Sequence, residues 1–174
     1  MNAVADRIKG LIKDVPDFPK PGIIFKDLTP VFQDPAVHRA MVKAFAERYR
    51  AQGIEAIVAI ESRGFLIGAP LALELDISLA IVRKPGKLPR ETLKRSYDLE
   101  YGQDTLEMHA DALTSGQKVV VVDDLLATGG TANAAVELAA EVGANVVETA
   151  FMVELTFLKG REKLSVPSFA LVEY

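Results

Sequence analysis

Strand patterns alternate with helical patterns along most of the chain. Four consecutive valines at residues 119–122 are typical of a strand buried on both faces, and the apolar runs at 54–60 and 78–84 predict further strands. Apolar residues three or four apart predict helices at residues 3–13 and 36–52, and another begins near Thr131. This alternation predicts an α/β protein with a parallel sheet, whose ligand binds at the carboxyl ends of the strands near a switch in strand order.

The segment VVVVDDLLATGGT, residues 119–131, combines a buried strand with a polar loop and a helix start. A loop of small residues lets backbone N–H groups approach a ligand, and a helix N-terminus favours an anion, so we expect phosphate there. Asp123 and Asp124 repel phosphate and are expected to face sugar hydroxyls or a magnesium ion. Taken alone, the glycines also fit a plain βα turn, and the acids fit helix capping or a solvated loop. The segment lacks the Walker A and GxGxxG patterns.

Two further segments offer positive charge to an anionic ligand. Arg63 lies in the loop ESRG, between the strand at 54–60 and the helical sequence FLIGAPLALEL, where its forked donors suit a second phosphate group. Six Lys and Arg residues and one acid lie between residues 83 and 95, and the alternating residues around Gly102 then predict a mobile hairpin. The open alternatives are an ordinary surface arginine and a solvated basic loop. A lid that shields a reactive phosphate ester from water is the functional interpretation.

The N-terminal segment VPDFPKPGIIFKDLTP holds four prolines around a short apolar stretch. This composition predicts a rigid, irregular segment with a short extended piece. An N-terminal arm packed on the core explains the composition equally well.

Composition narrows the class of protein. A chain of 174 residues with 49% hydrophobic content suits one domain, residues 1–174. A formal net charge of −4 without a long basic tract argues against a nucleic-acid surface, and the absence of cysteine excludes disulfides and a cysteine nucleophile. We find no signal-peptide core and no apolar run long enough to cross a bilayer. The expectation is a soluble cytoplasmic enzyme with no membrane partner.

The motifs together resemble the type I phosphoribosyltransferases, and in particular the branch that acts on adenine. VVVVDDLLATGGT matches the phosphoribosyl pyrophosphate (PRPP) signature of that family, and FPKPGIIFKDLTP, ESRGF, RKPGKLP, SYDLEYG and VELTFLKGREKL resemble the adenine branch. The resemblance implies a parallel-sheet core with an N-terminal hood near residues 14–32 and a flexible β-hairpin lid near residues 84–110. It also implies adenine and PRPP as substrates, AMP and pyrophosphate as products, Mg²⁺ as cofactor and a homodimer.

The resemblance also implies a role for each matching residue. The 5′-phosphate would lie on Ala127, Thr128, Gly129, Gly130 and Thr131, and the ribose hydroxyls on Asp123 and Asp124. Arg63, in a loop that often holds a non-proline cis peptide in relatives, would neutralise pyrophosphate together with Arg83, Lys84, Lys87 and magnesium held mainly by the substrate. Phe25 would stack on the base, and the main chain near Ile24 and Lys26 would contact the edge of the base. Glu100 would handle the proton, and Tyr101 would help to close the lid.

The sequence departs from many relatives at one residue, and two other functions stay open. Many relatives carry Arg where this chain has Lys26. Because the family contact there is largely through the main chain, we expect the choice of base to be unchanged. A transferase for hypoxanthine, guanine or xanthine is one alternative, although the hood and ESRGF favour adenine. The other is a regulator that senses PRPP without catalysis. Such regulators usually add a DNA-binding module, for which we expect no room before the hood.

Overall fold

A computed structural model describes residues 2–98 and 102–174. Its strands in chain order are β1 (Lys13–Pro16), β2 (Ile24–Asp27), β3 (Ala56–Ile60), β4 (Ser78–Val82), β5 (Thr92–Asp98), β6 (Gln103–His109), β7 (Lys118–Leu126), β8 (Asn145–Glu154) and β9 (Ser168–Glu173). Its α-helices are α1 (Asn2–Leu11), α2 (Thr29–Gln33), α3 (Pro35–Tyr49), α4 (Phe65–Leu75) and α5 (Gly130–Glu141). Within the described ranges, no helix has the length and apolar character needed to span a membrane.

The central sheet has five strands in the order β4–β3–β7–β8–β9, and every neighbouring pair is parallel. After β3 the chain adds β4 on one side, and it then returns to add β7, β8 and β9 on the other side. The order therefore switches between β3 and β7. The predicted parallel α/β sheet is confirmed, and its two central strands end beside each other at the predicted kind of ligand site.

The valines of β7 explain why that strand lies at the centre of the sheet. Residues 119–122 are all fully buried. Val120 and Val122 pack into the cluster that includes residues of α1, α3 and α4, whereas Val119 and Val121 pack into the cluster formed with α5 and the β5–β6 hairpin. Successive side chains of a strand point to opposite faces, so a sheet covered on both sides requires this continuous apolar run.

The longest helix, α3, buries the face that its four-residue spacing predicts. Its buried residues include Val37, Met41, Phe45 and Tyr49. The carboxylate of Asp34 caps the helix by accepting hydrogen bonds of 2.9 Å from the N–H groups of Ala36 and Val37. This helix therefore packs into the cluster on one face of the sheet, together with Val120 and Val122 of β7.

The proline-rich N-terminal segment forms a small antiparallel sheet of β1 and β2, followed by α2. Val15 pairs with Phe25 in this sheet. The ring of Phe18 packs edge-on against Phe25, with the ring centroids 5.1 Å apart. The sequence predicted one extended piece in an irregular segment, and the structure contains two paired strands.

The basic region continues into an antiparallel hairpin of β5 and β6, as predicted. Leu106 and Met108 on β6 are buried, so the base of the hairpin belongs to the core. Reciprocal backbone hydrogen bonds of 2.9 and 2.7 Å between Arg83 and Glu107 join it to the end of β4. The predicted catalytic residues Glu100 and Tyr101 lie outside the described residues.

Candidate active site

A cleft of about 290 Å³ lies where β3 and β7 end. Its walls are the loop after β3, the end of β7 with the loop that follows it, and two side chains of the hairpin, Tyr97 and Asp104. A second depression of similar volume, about 320 Å³, lies between α3 and α4 and is lined mainly by side chains of those two helices. We place the candidate site in the first, because two strand ends, a helix start and side chains of both charges converge there.

The acidic pair at the end of β7 is held in a poorly hydrated position. Asp124 is 3% exposed, and Asp123 is half-buried at the cleft. Burial raises the pKa of both carboxyl groups, and the neighbouring charge of Asp124 raises the pKa of Asp123 further. The positive charge of Arg63 acts in the opposite direction and lowers the pKa of both groups. The pair is therefore costly to keep ionised, which is typical of a binding site rather than of a structural ion pair.

Arg63 reaches from the loop after β3 to the acidic pair. Its Nε lies 2.7 Å from Oδ2 of Asp124, but this oxygen accepts no directed hydrogen bond from any described residue. The contact is therefore an ion pair with poor hydrogen-bond geometry. Because 38% of the Arg63 side chain is exposed, the guanidinium remains accessible to an anion in the cleft.

The loop that holds Arg63 lies directly against the ends of the two central strands. Its Glu61–Ser62 peptide bond is cis, as the resemblance implied. A Cβ on Gly64 would lie 2.5 Å from the carbonyl oxygen of Ile60 and 2.8 Å from that of Val122. Only glycine fits this approach, which brings the ESRG loop next to the acidic pair.

The small-residue loop after β7 leads into the N-terminus of α5. Gly129 is the N-cap residue and has φ of +84°, a conformation that favours glycine. The first intrahelical hydrogen bond runs from the N–H of Asn133 to the carbonyl of Gly129, at 2.9 Å. The N–H groups that precede Asn133 have no acceptor within the helix and lie beside the cleft, where they can donate to an anion.

Glu61 binds the basic residues that follow β4, and the sequence patterns did not predict this role. Its carboxylate accepts hydrogen bonds from the Lys84 N–H at 2.8 Å, from Arg83 Nη2 at 3.3 Å and from Lys87 Nζ. Burial disfavours ionisation of Glu61, but these donors outweigh it and lower the pKa to about 2. The negative charge in ESRG was the available signal, but its partners are more than 20 residues away in the chain.

A chain of polar contacts joins the hairpin to the small-residue loop. Thr131 Oγ1 donates to the Tyr97 hydroxyl at 3.2 Å, and this hydroxyl donates to Asp104 at 3.4 Å. Asp104 also accepts a hydrogen bond of 2.7 Å from Lys84 Nζ. The hairpin thus connects the loop after β7 with the basic segment after β4, and neither Tyr97 nor Asp104 was predicted as a site residue.

The predicted base-binding residues lie on β2, outside the set that lines the cleft. Lys26 pairs with Asp14 at 2.6 Å, and its ammonium group lies 4.3 Å from the ring centroid of Tyr174. Ile24 is 61% exposed. Hydrogen bonds from Thr29 are the main cause of the lowered pKa of Asp27 at the end of β2. The contacts to a base stay predictions.

Most of the predicted phosphate and sugar ligands lie together. The predicted residues that line the cleft are Arg63, Lys84, Asp123, Asp124, Ala127, Thr128, Gly129 and Thr131. Gly130 is the first residue of α5 beside it. Arg83 and Lys87 reach its wall through Glu61. The arrangement can therefore accept a ligand with two separate anionic groups and hydroxyls between them.

The sequence is similar to that of known proteins over nearly its whole length. The model of the phosphoribosyl transferase domain matches residues 29–169. The adenine phosphoribosyltransferase of Geotalea daltonii is 51% identical over 170 residues, which are 97% of this chain and 99% of that relative. The Roseiflexus enzyme of the same name is 53% identical over 165 residues, covering 94% and 96% of the two chains.

Solved structures extend the similarity to three dimensions. Adenine phosphoribosyltransferase from Thermoanaerobacter pseudethanolicus matches with a TM-score of 0.94 and 48% identity, over 98% of this chain and 99% of that one. The Saccharomyces cerevisiae structure, a complex with adenine and an imino-altritol bisphosphate, matches with a TM-score of 0.94 and 43% identity over the same shares.

The fold is that of a type I phosphoribosyltransferase. The chain belongs to the phosphoribosyl transferase family and, within it, to the adenine phosphoribosyltransferases.

Proposed function

We propose that this chain transfers the phosphoribosyl group of PRPP to N9 of adenine, giving AMP and pyrophosphate, a purine salvage reaction. One observation carries the proposal. The acidic pair, the N-terminus of α5 and the ESRG loop meet at one cleft between the ends of β3 and β7. PRPP presents a 5′-phosphate, two ring hydroxyls and a pyrophosphate, and the cleft offers a complementary group for each.

The small-residue loop would hold the 5′-phosphate. Ala127, Thr128, Gly129, Gly130 and Thr131 lie at or beside the cleft and supply backbone N–H groups and two hydroxyls. Asp123 and Asp124 would accept hydrogen bonds from the 2′ and 3′ hydroxyls. Asp123 is only half-buried and lines the cleft, so its carboxylate can meet such a donor.

Pyrophosphate would lie between the ESRG loop and the segment after β4. Arg63, Lys84 and Lys87 supply exposed positive charge there, and Arg83 adds a partly exposed guanidinium. As C1′ of the ribose loses pyrophosphate, the electron pair of the breaking C–O bond moves to the leaving group, and these cations stabilise the added negative charge. N9 of adenine forms the new bond to C1′ and loses its proton.

Magnesium is proposed to bind mainly through the substrate. Among the described residues, no three acidic, histidine or cysteine side chains form a cage for an ion. The donor set instead fits an ion held by PRPP oxygens and water near the acidic pair, because Mg²⁺ commonly keeps waters and binds few protein carboxylates. Bound magnesium would neutralise part of the pyrophosphate charge.

The base and the proton are assigned through the family resemblance. Phe25 would stack on adenine, and the main chain near Ile24 and Lys26 would contact its edge. Glu100 would accept the N9 proton and stabilise positive charge on the ribose, and Tyr101 would help to close the lid.

We also propose a homodimer in the cytoplasm. One side of α4 exposes Leu66 at 45% and Leu73 at 83%, an apolar surface that a second copy can cover. Sedimentation equilibrium should give twice the chain mass of 18.9 kDa, and a mass of 18.9 kDa would contradict the dimer. Cell fractionation would test the location.

The activity itself is tested by mixing the protein with PRPP, Mg²⁺ and one free base at a time. Nucleotide should form with adenine in preference to hypoxanthine, guanine and xanthine. Nucleotide from another base would indicate a different purine specificity. Absence of product with every base would favour a protein that only senses PRPP.

A further inference from the structure

The segment that begins at the end of β8 lies against the loop of small residues that follows β7. Residues 154–165, here called the supporting segment, contain two 3₁₀ turns, Thr156–Leu158 and Gly160–Lys163. Gly160 is buried, whereas its neighbours Lys159 and Arg161 are exposed. A buried glycine in an exposed turn indicates that another part of the molecule lies directly against its main chain.

That part is the loop predicted to bind the 5′-phosphate. A Cβ on Gly160 would lie less than 3.0 Å from the carbonyl oxygen of Ala127, and a Cβ on Gly129 would lie less than 3.0 Å from the carbonyl oxygen of Gly160. Both obstructing atoms belong to the main chain, which cannot rotate away as a side chain can. The two segments therefore touch main chain to main chain, and each needs glycine at the contact.

The supporting segment is fixed at its start to the strands that carry the loop. Glu154 ends β8 and pairs with Leu126 at the end of β7, and the N–H of Leu155 donates to the Leu126 carbonyl at 2.9 Å. Arg161 Nε donates to both carboxylate oxygens of Glu154, at 3.0 and 2.9 Å, and Arg161 Nη2 donates to Glu173 at 3.0 Å. Glu154 is 3% exposed, so this forked pair is shielded from water on the carboxylate side.

The far end of the segment contacts the helix that follows the loop. The N–H of Ser165 donates to Asn133 Oδ1 at 3.3 Å, and Asn133 lies in the first turn of α5. The loop thus leaves β7 and enters α5 with both of its ends attached to residues 154–165. Its shape depends on this segment as well as on its own sequence.

We propose that Gly160 and Arg161 are positioning residues for the 5′-phosphate of the substrate. Neither lines the cleft. The main chain of Gly160 fixes the position of the small-residue loop, and the ion pair between Arg161 and Glu154 holds Gly160 in place. The inference rests on the proposed function, in which the loop binds that phosphate. Backbone donors act through position, and a shift of about 1 Å can cost roughly 100-fold in a well-oriented site.

The test compares two ligands that use different parts of the cleft. Calorimetry gives the dissociation constants of ribose 5-phosphate, which needs the loop, and of pyrophosphate, which needs the ESRG side. Gly160→Ala should weaken ribose 5-phosphate by up to roughly 100-fold and leave pyrophosphate unchanged. Gly10→Ala is the matched control, because a Cβ on Gly10 meets no atom within 4 Å.

A second variant covers the case in which Gly160→Ala does not fold. Arg161→Lys keeps the charge and loses the forked hydrogen bonds, so it should weaken ribose 5-phosphate in the same direction by a smaller factor. Equal losses for both ligands, or no loss for ribose 5-phosphate, would overturn the positioning role.

Thr131→Ala distinguishes failure of the positioning role from failure of the proposed phosphate site. If it weakens ribose 5-phosphate while Gly160→Ala and Arg161→Lys do not, only the positioning role fails. If wild-type protein does not bind ribose 5-phosphate, both fail.

Discussion

Replacing both carboxylates of the acidic pair with amides should lower the activity without lowering the stability of the fold. The double variant Asp123→Asn, Asp124→Asn keeps the size of both side chains and removes two negative charges from the cleft. In the structure Asp124 is 3% exposed and has Arg63 as its ion-pair partner. Burial raises the pKa of both groups, so their ionised forms make the folded state less stable at neutral pH.

The expected loss of activity follows from the hydrogen bonds to the ribose. A hydrogen bond to a charged group contributes about 1.5–3 kcal/mol, so losing one charged acceptor for each of two hydroxyls costs about 3–6 kcal/mol. Since 1.36 kcal/mol corresponds to a factor of ten, kcat/KM for PRPP should fall by about 10²- to 10⁴-fold. The melting temperature should stay the same or rise, because the cost of two buried charges disappears.

Steady-state kinetics with varied PRPP and thermal unfolding at the same pH test both parts. Asp111→Asn is the matched control, an exposed acid paired with Arg90 away from the cleft. It should leave kcat/KM unchanged. A double variant with wild-type kcat/KM would show that the pair does not bind the ribose, and a large fall in melting temperature would show that its role is structural.

Three further predictions concern the cations, the hairpin and the lid. The pKa of Glu61 is lowered to about 2 from 4.5, so its contribution to stability is present above about pH 4.5 and is lost as the pH falls toward 2. Glu61→Gln should therefore flatten the acid side of a plot of melting temperature against pH, and an unchanged plot would contradict the cation cluster. Tyr97→Phe removes the hydroxyl between Thr131 and Asp104, and it should raise KM for PRPP by about 2- to 12-fold, the equivalent of one neutral hydrogen bond, whereas Ser96→Ala on the same strand serves as control. Equal KM values for the Tyr97 and Ser96 variants would remove this contact from the site. Glu100→Gln should lower kcat by about 10²- to 10⁴-fold if Glu100 handles the proton, with Glu91→Gln as the control in the same hairpin region. Unchanged turnover would exclude Glu100 from the mechanism.

Local sequence patterns were sufficient for the sheet and for the loop after β7. The valine run predicts burial on both faces, and the two clusters that share its residues confirm it. The acids follow the valines directly and lie in the last part of β7, and the small residues follow the strand, so their position at the strand end was determined by the chain itself. Helical spacing after Thr131 picks out Ala132, Ala135, Val136, Ala139 and Val142. The first four are buried in α5, and Val142, the C-cap residue, is only partly buried.

Contacts between distant segments were not predictable in this way. β1 was not predicted because KDVP has only four residues, all of them exposed, and only its pairing with β2 makes it a strand. Gly160 lies among charged residues in VELTFLKGREKL, and the local sequence gives no reason for a glycine there, because the main chain that it contacts lies 31 residues earlier at Gly129. Glu61 was passed over for the same reason, since its cations come from the segment after β4. The roles of such residues depend on contacts between segments that are distant in the sequence and that only the fold brings together.

The most direct test of the account is the rate of nucleotide formation from PRPP with each purine base in the presence of Mg²⁺. Adenine should give AMP and stoichiometric pyrophosphate, with a kcat/KM well above that of hypoxanthine, guanine or xanthine. Equal rates with all four bases would contradict the assignment of adenine to the hood. No nucleotide from any base, in protein shown to bind PRPP, would contradict the central claim that this cleft performs the transfer.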